Sequence, residues 1–242
     1  MRRVTGVVVR PRSTMAEVVR HPAFISTWVV ALLAVVVCGG LLLSTPVGQQ
    51  ALVDERVRVT EALGMRVDDA SYARLQANPP LSAYLTSGGR LLLTPPVTIL
   101  VAAGLLVLAR LDGAVLSFAT VLAIAVHATV VLALQQIVTT PLHYAYESLT
   151  SPTNVASILR VFDEGTWPAR LFGTIDVFGL WWMWLLSVGL AAATARAAPL
   201  DDARGSPELS RRSRRYWWRL VAVYLGVAAL VAAVFAVTGD GI

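Results

Sequence analysis

An all-α, polytopic integral membrane protein is the fold class this sequence predicts: five transmembrane helices with amphipathic helices at the membrane surfaces. Three observations carry it. Of 242 residues, 56% are hydrophobic and 14% charged, which suits a bilayer protein rather than a soluble domain of this length. Apolar runs of about 20 residues, the length a helix needs to cross the hydrocarbon core, recur at 24–43, 91–109, 114–138, 174–194 and 217–237. Positive charge, all of it arginine, gathers in segments 1–23, 110–113 and 195–216. These segments alternate with the runs as cytoplasmic flanks would.

The sequence pI near 10.0 therefore reflects membrane topology, and nucleic acid is not an expected partner. Cys38 is the sole cysteine and lies inside the first run, so neither an intrachain disulfide nor a cysteine metal site can form. Arginine as the only long-chain cation, with abundant Ala and Val, suggests a high-GC bacterial genome and hence a bacterial inner membrane. The amino terminus is expected in the cytoplasm and the carboxyl terminus outside.

Taken in order, residues 1–23 form a basic amphipathic lead. Ser13 or Thr14, with Glu17 three residues after Thr14, reads as a capping box. Val18 and Val19 are expected against lipid, with the arginines among headgroups. The first span is read as uncleaved rather than as a signal peptide. Residues 49–65 predict a surface helix with Leu52, Val59 and Leu63 on one side, and 69–77 a second, ended by Asn78-Pro79-Pro80. The second span places Pro95-Pro96 in its first turns, where proline is tolerated. Arg110-Leu111-Asp112-Gly113 makes a tight turn. On the third span Ser117, Thr120, His127 and Gln135 share one face, assigned to the bundle interior. Ser151 as N-cap and Pro152 at the first helical position predict a helix over 153–161. Asp163-Glu164-Gly165 breaks it, and Trp167 and Leu171-Phe172 suggest contact with the membrane interface.

The fourth span opens on Asp176-Val177-Phe178-Gly179-Leu180-Trp181. At 100° per residue, Asp176, Leu180, Met183, Ser187, Ala191 and Thr194 fall on one narrow face, with Trp181 and Trp184 beside it. Trp182, Phe178 and Leu185 lie behind. Membrane helices turn small and polar residues inward, so this helix is expected to have a bundle side and a lipid side. The fifth span carries a stripe of Ala222, Gly226, Ala229 and Ala233, suited to close helix packing.

This layout of five spans, with the motif at 176–181 opening the fourth, resembles the Yip domain family of Rab/Ypt-interacting proteins. The lead at 11–23 and Thr150-Ser151-Pro152-Thr153-Asn154 with Leu159-Arg160 are similar to bacterial-type members. The resemblance covers nearly the whole chain through motifs that are mostly apolar, and it implies no catalytic residues. Eukaryotic members act in Golgi and endoplasmic-reticulum trafficking and bind prenylated small GTPases. They carry an Asp-Leu-Tyr-Gly-Pro segment before the first span. Here that region reads Arg20-His21-Pro22-Ala23-Phe24, and the segment is missing.

No His-x-x-x-His pair, Walker lysine or Gly-x-Ser-x-Gly elbow is present, and no cofactor or metal is expected. His127 is the sharpest single candidate, because an ionisable group in mid-span is a proton-relay hypothesis by default. Its competing reading is a neutral imidazole bonded to a neighbouring helix. Asp176 reads as a helix-terminus anchor, with an external cation or substrate site as rival. The tryptophans around Trp181 read as packing and interface bulk. Arg211, Arg212, Arg214 and Arg215 fix topology and suit anionic lipid. The function expected is a non-enzymatic membrane scaffold that binds a membrane or cytoplasmic protein partner within the lipid bilayer, a homo-oligomer being left open. The alternative is a small permease or an accessory subunit of an efflux transporter, which should show a polar path across the bilayer and broken helices.

Overall fold

A computed structural model describes residues 2–62, 64–77, 79–159, 172–197 and 206–239. The elements are α1 (Arg2–Val9), α2 (Pro11–Arg20), α3 (Ile25–Leu43), α4 (Pro46–Ala62), α5 (Asp69–Ala77), α6 (Pro79–Leu111), α7 (Phe118–Ala145), α8 (Val155–Leu159), α9 (Val177–Ala197) and α10 (Ser206–Gly239). One isolated antiparallel bridge joins Asn154 to Asp176. Among the described residues, four stretches are long and apolar enough to cross a membrane: Ile25–Leu43, Leu91–Leu111 within α6, Phe118–Ala145 and Val177–Ala197. The fifth expected run, 217–237, falls inside α10, and part of its side chains lie outside the described residues. Leu63, residues 160–171 with Trp167, and 198–205 with Arg204 also lie outside them.

The chain forms two compact units. The first comprises 1–33, 92–134 and 178–223. Its core joins Val7, Met15 and Val19 of the lead to Leu105 and Ala109 of α6, Ile124 of α7, Leu185, Leu190 and Ala193 of α9, and Tyr216 of α10. Here the sequence reading needs correction. Val18 and Val19 do not face lipid; they are buried in protein. Residues 2–9 form a helix of their own that packs against α2. The α2 start has Pro11 at its first position and no side-chain cap, and Glu17 pairs with Arg3 at 3.1 Å instead of closing a capping box.

The lipid side expected of the fourth span is also absent from its middle. In 183–194 all but Trp184 and Ala192 are buried, and Leu185, placed on the outer side, is 0% exposed. Residues 121–131 of α7 are likewise buried on every side. In the most apolar windows of α7 and α9, 67% and 56% of residues are buried, against 22% and 17% in α3 and α6. Thus α7 and α9 are the inner helices, and a helix apolar all round is what an inner position needs. Ser117, expected on an interior face, is exposed and caps α7, its hydroxyl accepting the Thr120 N–H at 3.2 Å.

The second unit comprises 34–91, 135–177 and 224–242. Leu43 and Leu52 form a buried apolar cluster in it, with Leu149 packed against them, whereas Val59, expected beside Leu52, is exposed. Pro79 ends the preceding helix and opens α6, the first-turn position where a missing N–H costs nothing. Because α6 starts there rather than at 91, Pro95 and Pro96 lie inside a 33-residue helix, freeing the carbonyls of Leu91 and Leu92. The cap of α8 is Asn154, whose Oδ1 accepts the Ser157 N–H at 2.7 Å; Ser151, expected in that role, bonds elsewhere.

Candidate functional site

In the first unit, α6 stops in a turn that aims a carboxylate. The Ala114 N–H reaches the Ala109 carbonyl at 3.0 Å and the Gly113 N–H reaches Arg110 at 2.9 Å. This is a Schellman pair, with Gly113 at φ +76° in the left-handed position that favours glycine. Asp112, held just before it, faces α10. There Arg212, Arg215, Tyr216 and Arg219 recur at the three- and four-residue spacing that puts side chains on one face. Arg219 Nη1 donates to both Asp112 oxygens at 2.8 and 3.0 Å, and Arg215 Nη2 donates to Oδ2 at 3.3 Å. Burial raises the Asp112 pKa, but hydrogen bonds from Arg219 and Tyr216 and the positive field of Arg215 outweigh it and hold the carboxyl below its usual 3.8.

Sequence reasoning missed this knot. It read Asp112 only as turn and passed over Arg219. The available signal was an arginine three residues into an apolar run, which demands a partner. The knot also divides the arginine run. Arg215 is spent on Asp112 and lies over the Tyr216 ring at 5.7 Å. Arg212 pairs with Glu208 at 3.1 Å, whereas Arg211 and Arg214 are exposed. The lead is tied down in the same unit: Arg196 at the end of α9 donates to the Val19 carbonyl at 3.1 Å, and Arg3 to that of His21 at 2.8 Å.

His127 is fully buried in the first unit. Its Nδ1 lies 2.8 Å from the Ala123 carbonyl, which can only accept, so Nδ1 carries a proton. Nε2 lies 3.2 Å from the Thr27 hydroxyl of α3, which in the neutral ring donates to it. Glutamine can serve the same hydroxyl, so His127→Gln is expected to lower thermal stability little, such interhelical bonds averaging about 0.6 kcal/mol. A variant that folds normally yet loses a pH-dependent activity would establish a proton relay instead.

Asp176 belongs to the second unit and sits one residue before α9, at the N-cap position rather than inside the first turn. Its Oδ2 accepts from the Ser151 hydroxyl at 2.8 Å and the Thr153 hydroxyl at 2.5 Å. Backbone bonds from Val155 to Ile175 and from Val177 to Thr153 lace the two strands of chain together. The Tyr224 hydroxyl of α10 donates to the Thr174 carbonyl. Asp176→Asn keeps an acceptor for these hydroxyls and should retain a folded chain. Asp176→Leu should cost about 2 kcal/mol in thermal or denaturant unfolding, the upper end for a lost helix cap. A charge-dependent site predicts a different pattern: Asn as damaging as Leu in a binding or growth assay, with stability intact.

Trp181 is half-buried against the first unit's core and stacks with Phe178 at a centroid distance of 6.3 Å. Gly226 departs from expectation. It and its stripe partners Ala222, Ala229 and Ala233 are all exposed, and a Cβ at 226 would meet nothing within 4 Å. His127 and Trp181 belong to the first unit, Asp176 and Gly226 to the second. Among the described residues, no three of His, Cys, Asp and Glu gather as metal ligands would. A family model described as the Yip1 domain matches residues 5–200 of the chain. No curated protein and no solved structure matches it.

Proposed function

The chain belongs to the Yip1 domain family of membrane proteins, and on that premise we propose that it is a non-enzymatic, five-span scaffold that holds a membrane or cytoplasmic protein partner. The observation that carries this reading is the burial of the inner helices. Over 121–131 of α7 and most of 183–194 of α9 the residues are buried and mostly apolar. Inner helices of that kind leave the outer surfaces to partners and favour a platform over a polar solute path. The five-span topology, with the amino terminus cytoplasmic and the carboxyl terminus external, has its own support. Arginine gathers in segments 1–23, 110–113 and 195–216, which alternate with the apolar runs as the positive-inside bias requires of cytoplasmic flanks.

Two experiments test the proposal. Reporter fusions after Arg215 and after Ile242 should signal inside and outside respectively; an external signal from the first overturns the orientation. Photo-crosslinking in native membranes, followed by purification, should recover one protein in stoichiometric yield. Solute flux into proteoliposomes above that of protein-free vesicles would instead favour the permease reading.

A further inference from the structure

We infer that the first unit carries an anionic-phospholipid site built from Arg10, Arg12, Arg20, Arg110, Arg211 and Arg214. All six are exposed, and among the described residues none takes part in an ion pair. The unit's described carboxylates are already committed: Glu17 to Arg3, Asp112 to Arg215 and Arg219, and Glu208 to Arg212. The six guanidinium groups thus have no uncommitted carboxylate among the unit's described residues, which suits an anion from outside the chain.

They belong to one end of the bundle. The lead carrying Arg10, Arg12 and Arg20 is packed through Met15 and Val19 into the same core as Ala109, Ala193 and Tyr216. Arg110 is two residues from Asp112, and Asp112 is bonded to Arg215, one residue from Arg214. Apolar membrane-length helices begin or end beside these positions, Ile25–Leu43 after Arg20 and Leu91–Leu111 around Arg110. That places fixed positive charge at headgroup level, where each arginine strengthens binding to an anionic leaflet about fivefold. Phosphate oxygens match the guanidinium fork. The geometry also separates two neighbouring pairs on α10: Arg211 and Arg214 bind lipid, while Arg212 and Arg215 hold the fold.

The inference rests on the membrane reading but not on which side the first unit faces, because lipid preference is measurable in detergent. The full chain in a neutral detergent, mixed with phosphatidylglycerol and phosphatidylcholine, should retain phosphatidylglycerol preferentially by native mass spectrometry. Arg211→Gln with Arg214→Gln should lower that preference about 25-fold, two steps of fivefold. Lysine at both positions should restore most of it and show that the quiet variant is folded. Arg212→Gln with Arg215→Gln should lower thermal stability and leave the preference within about twofold, the intact site still holding its own charges. Equal retention of the two lipids, or equal loss from both pairs of substitutions, overturns the site. Displacement by millimolar glycerol phosphate would assign the chemistry to a free phosphate, and preferential retention of an oligonucleotide to nucleic acid. Either result overturns the lipid assignment.

Discussion

Gly189→Leu is expected to cost about 3 kcal/mol, at the upper end for overpacking a core, and to reduce sharply the yield of folded protein in detergent. A Cβ built at 189 would lie 2.4 Å from Ile124 Cγ2 and 3.2 Å from Cγ1. Ile124 cannot yield. It is 0% exposed in the middle of α7, and a β-branched side chain in a helix has one strongly preferred rotamer. Leucine must therefore push α7 and α9 apart where Ile124 of α7 meets the glycine of α9. Thermal unfolding of the purified variant measures the loss. Ile124→Ala added to Gly189→Leu should recover part of it, because the methyl groups that collide are then gone and the leucine fills the space they leave. Gly226→Leu is the control: with open space around that position, the shift should stay within about 0.5 kcal/mol. Equal effects at 189 and 226 would refute the close approach.

Asp112→Leu should be the next most damaging change, at about 2 kcal/mol. This lies between the small contribution of exposed ion pairs and the 3–5 kcal/mol of breaking a buried one. The carboxylate is 14% exposed, but its partners Arg219 and Arg215 are 40% and 52% exposed, so water offsets part of the loss. Arg219 would be left at a membrane boundary without its counter-charge. Asp112→Leu with Arg219→Leu should be less destabilised than the sum of the single changes, and a double-mutant cycle in thermal unfolding measures the coupling. The pH dependence has a definite sign. The folded-state pKa of Asp112 is depressed below 3.8, so its contribution is complete above about pH 5 and fades as pH falls through 3.8 toward the lower folded value. The wild type should therefore lose stability in that acid range more steeply than Asp112→Leu. Parallel profiles would rule out the ion pair as the source.

What could be read from the residues depended on how local the cause was. Membrane-length helices follow from the length of apolar runs, and four of them cover the expected runs, although α6 begins twelve residues early at Pro79 and α7 runs seven residues longer, to Ala145. The end of α5 at Ala77, ahead of Pro79, and the turn at Gly113 follow from the conformational limits of proline and glycine. The arginine-rich flanks follow from the identity of the charges. Each of these is a property of one short stretch.

The facing of the helices is different in kind. In water, an apolar stripe marks the buried side of a helix because the other side must be polar. In a bilayer, lipid is as apolar as a protein core, so the same leucine suits either. Leu185 looked lipid-facing and is buried, Val18 and Val19 looked lipid-facing and are buried, and the small-residue stripe at Gly226 looked packed and is exposed. Gly189, which no stripe marks, is where α9 admits Ile124 of α7. Arg219 and Asp112 stand 107 residues apart in the chain, and nothing near either names the other. The sequence by itself determined which segments are helical, which can lie in lipid and where positive charge collects. The tertiary structure alone decided that α7 and α9 are the inner pair, that the lead is part of the core, and which arginines are spent on carboxylates, because those outcomes depend on competition between protein and lipid for equally apolar surfaces.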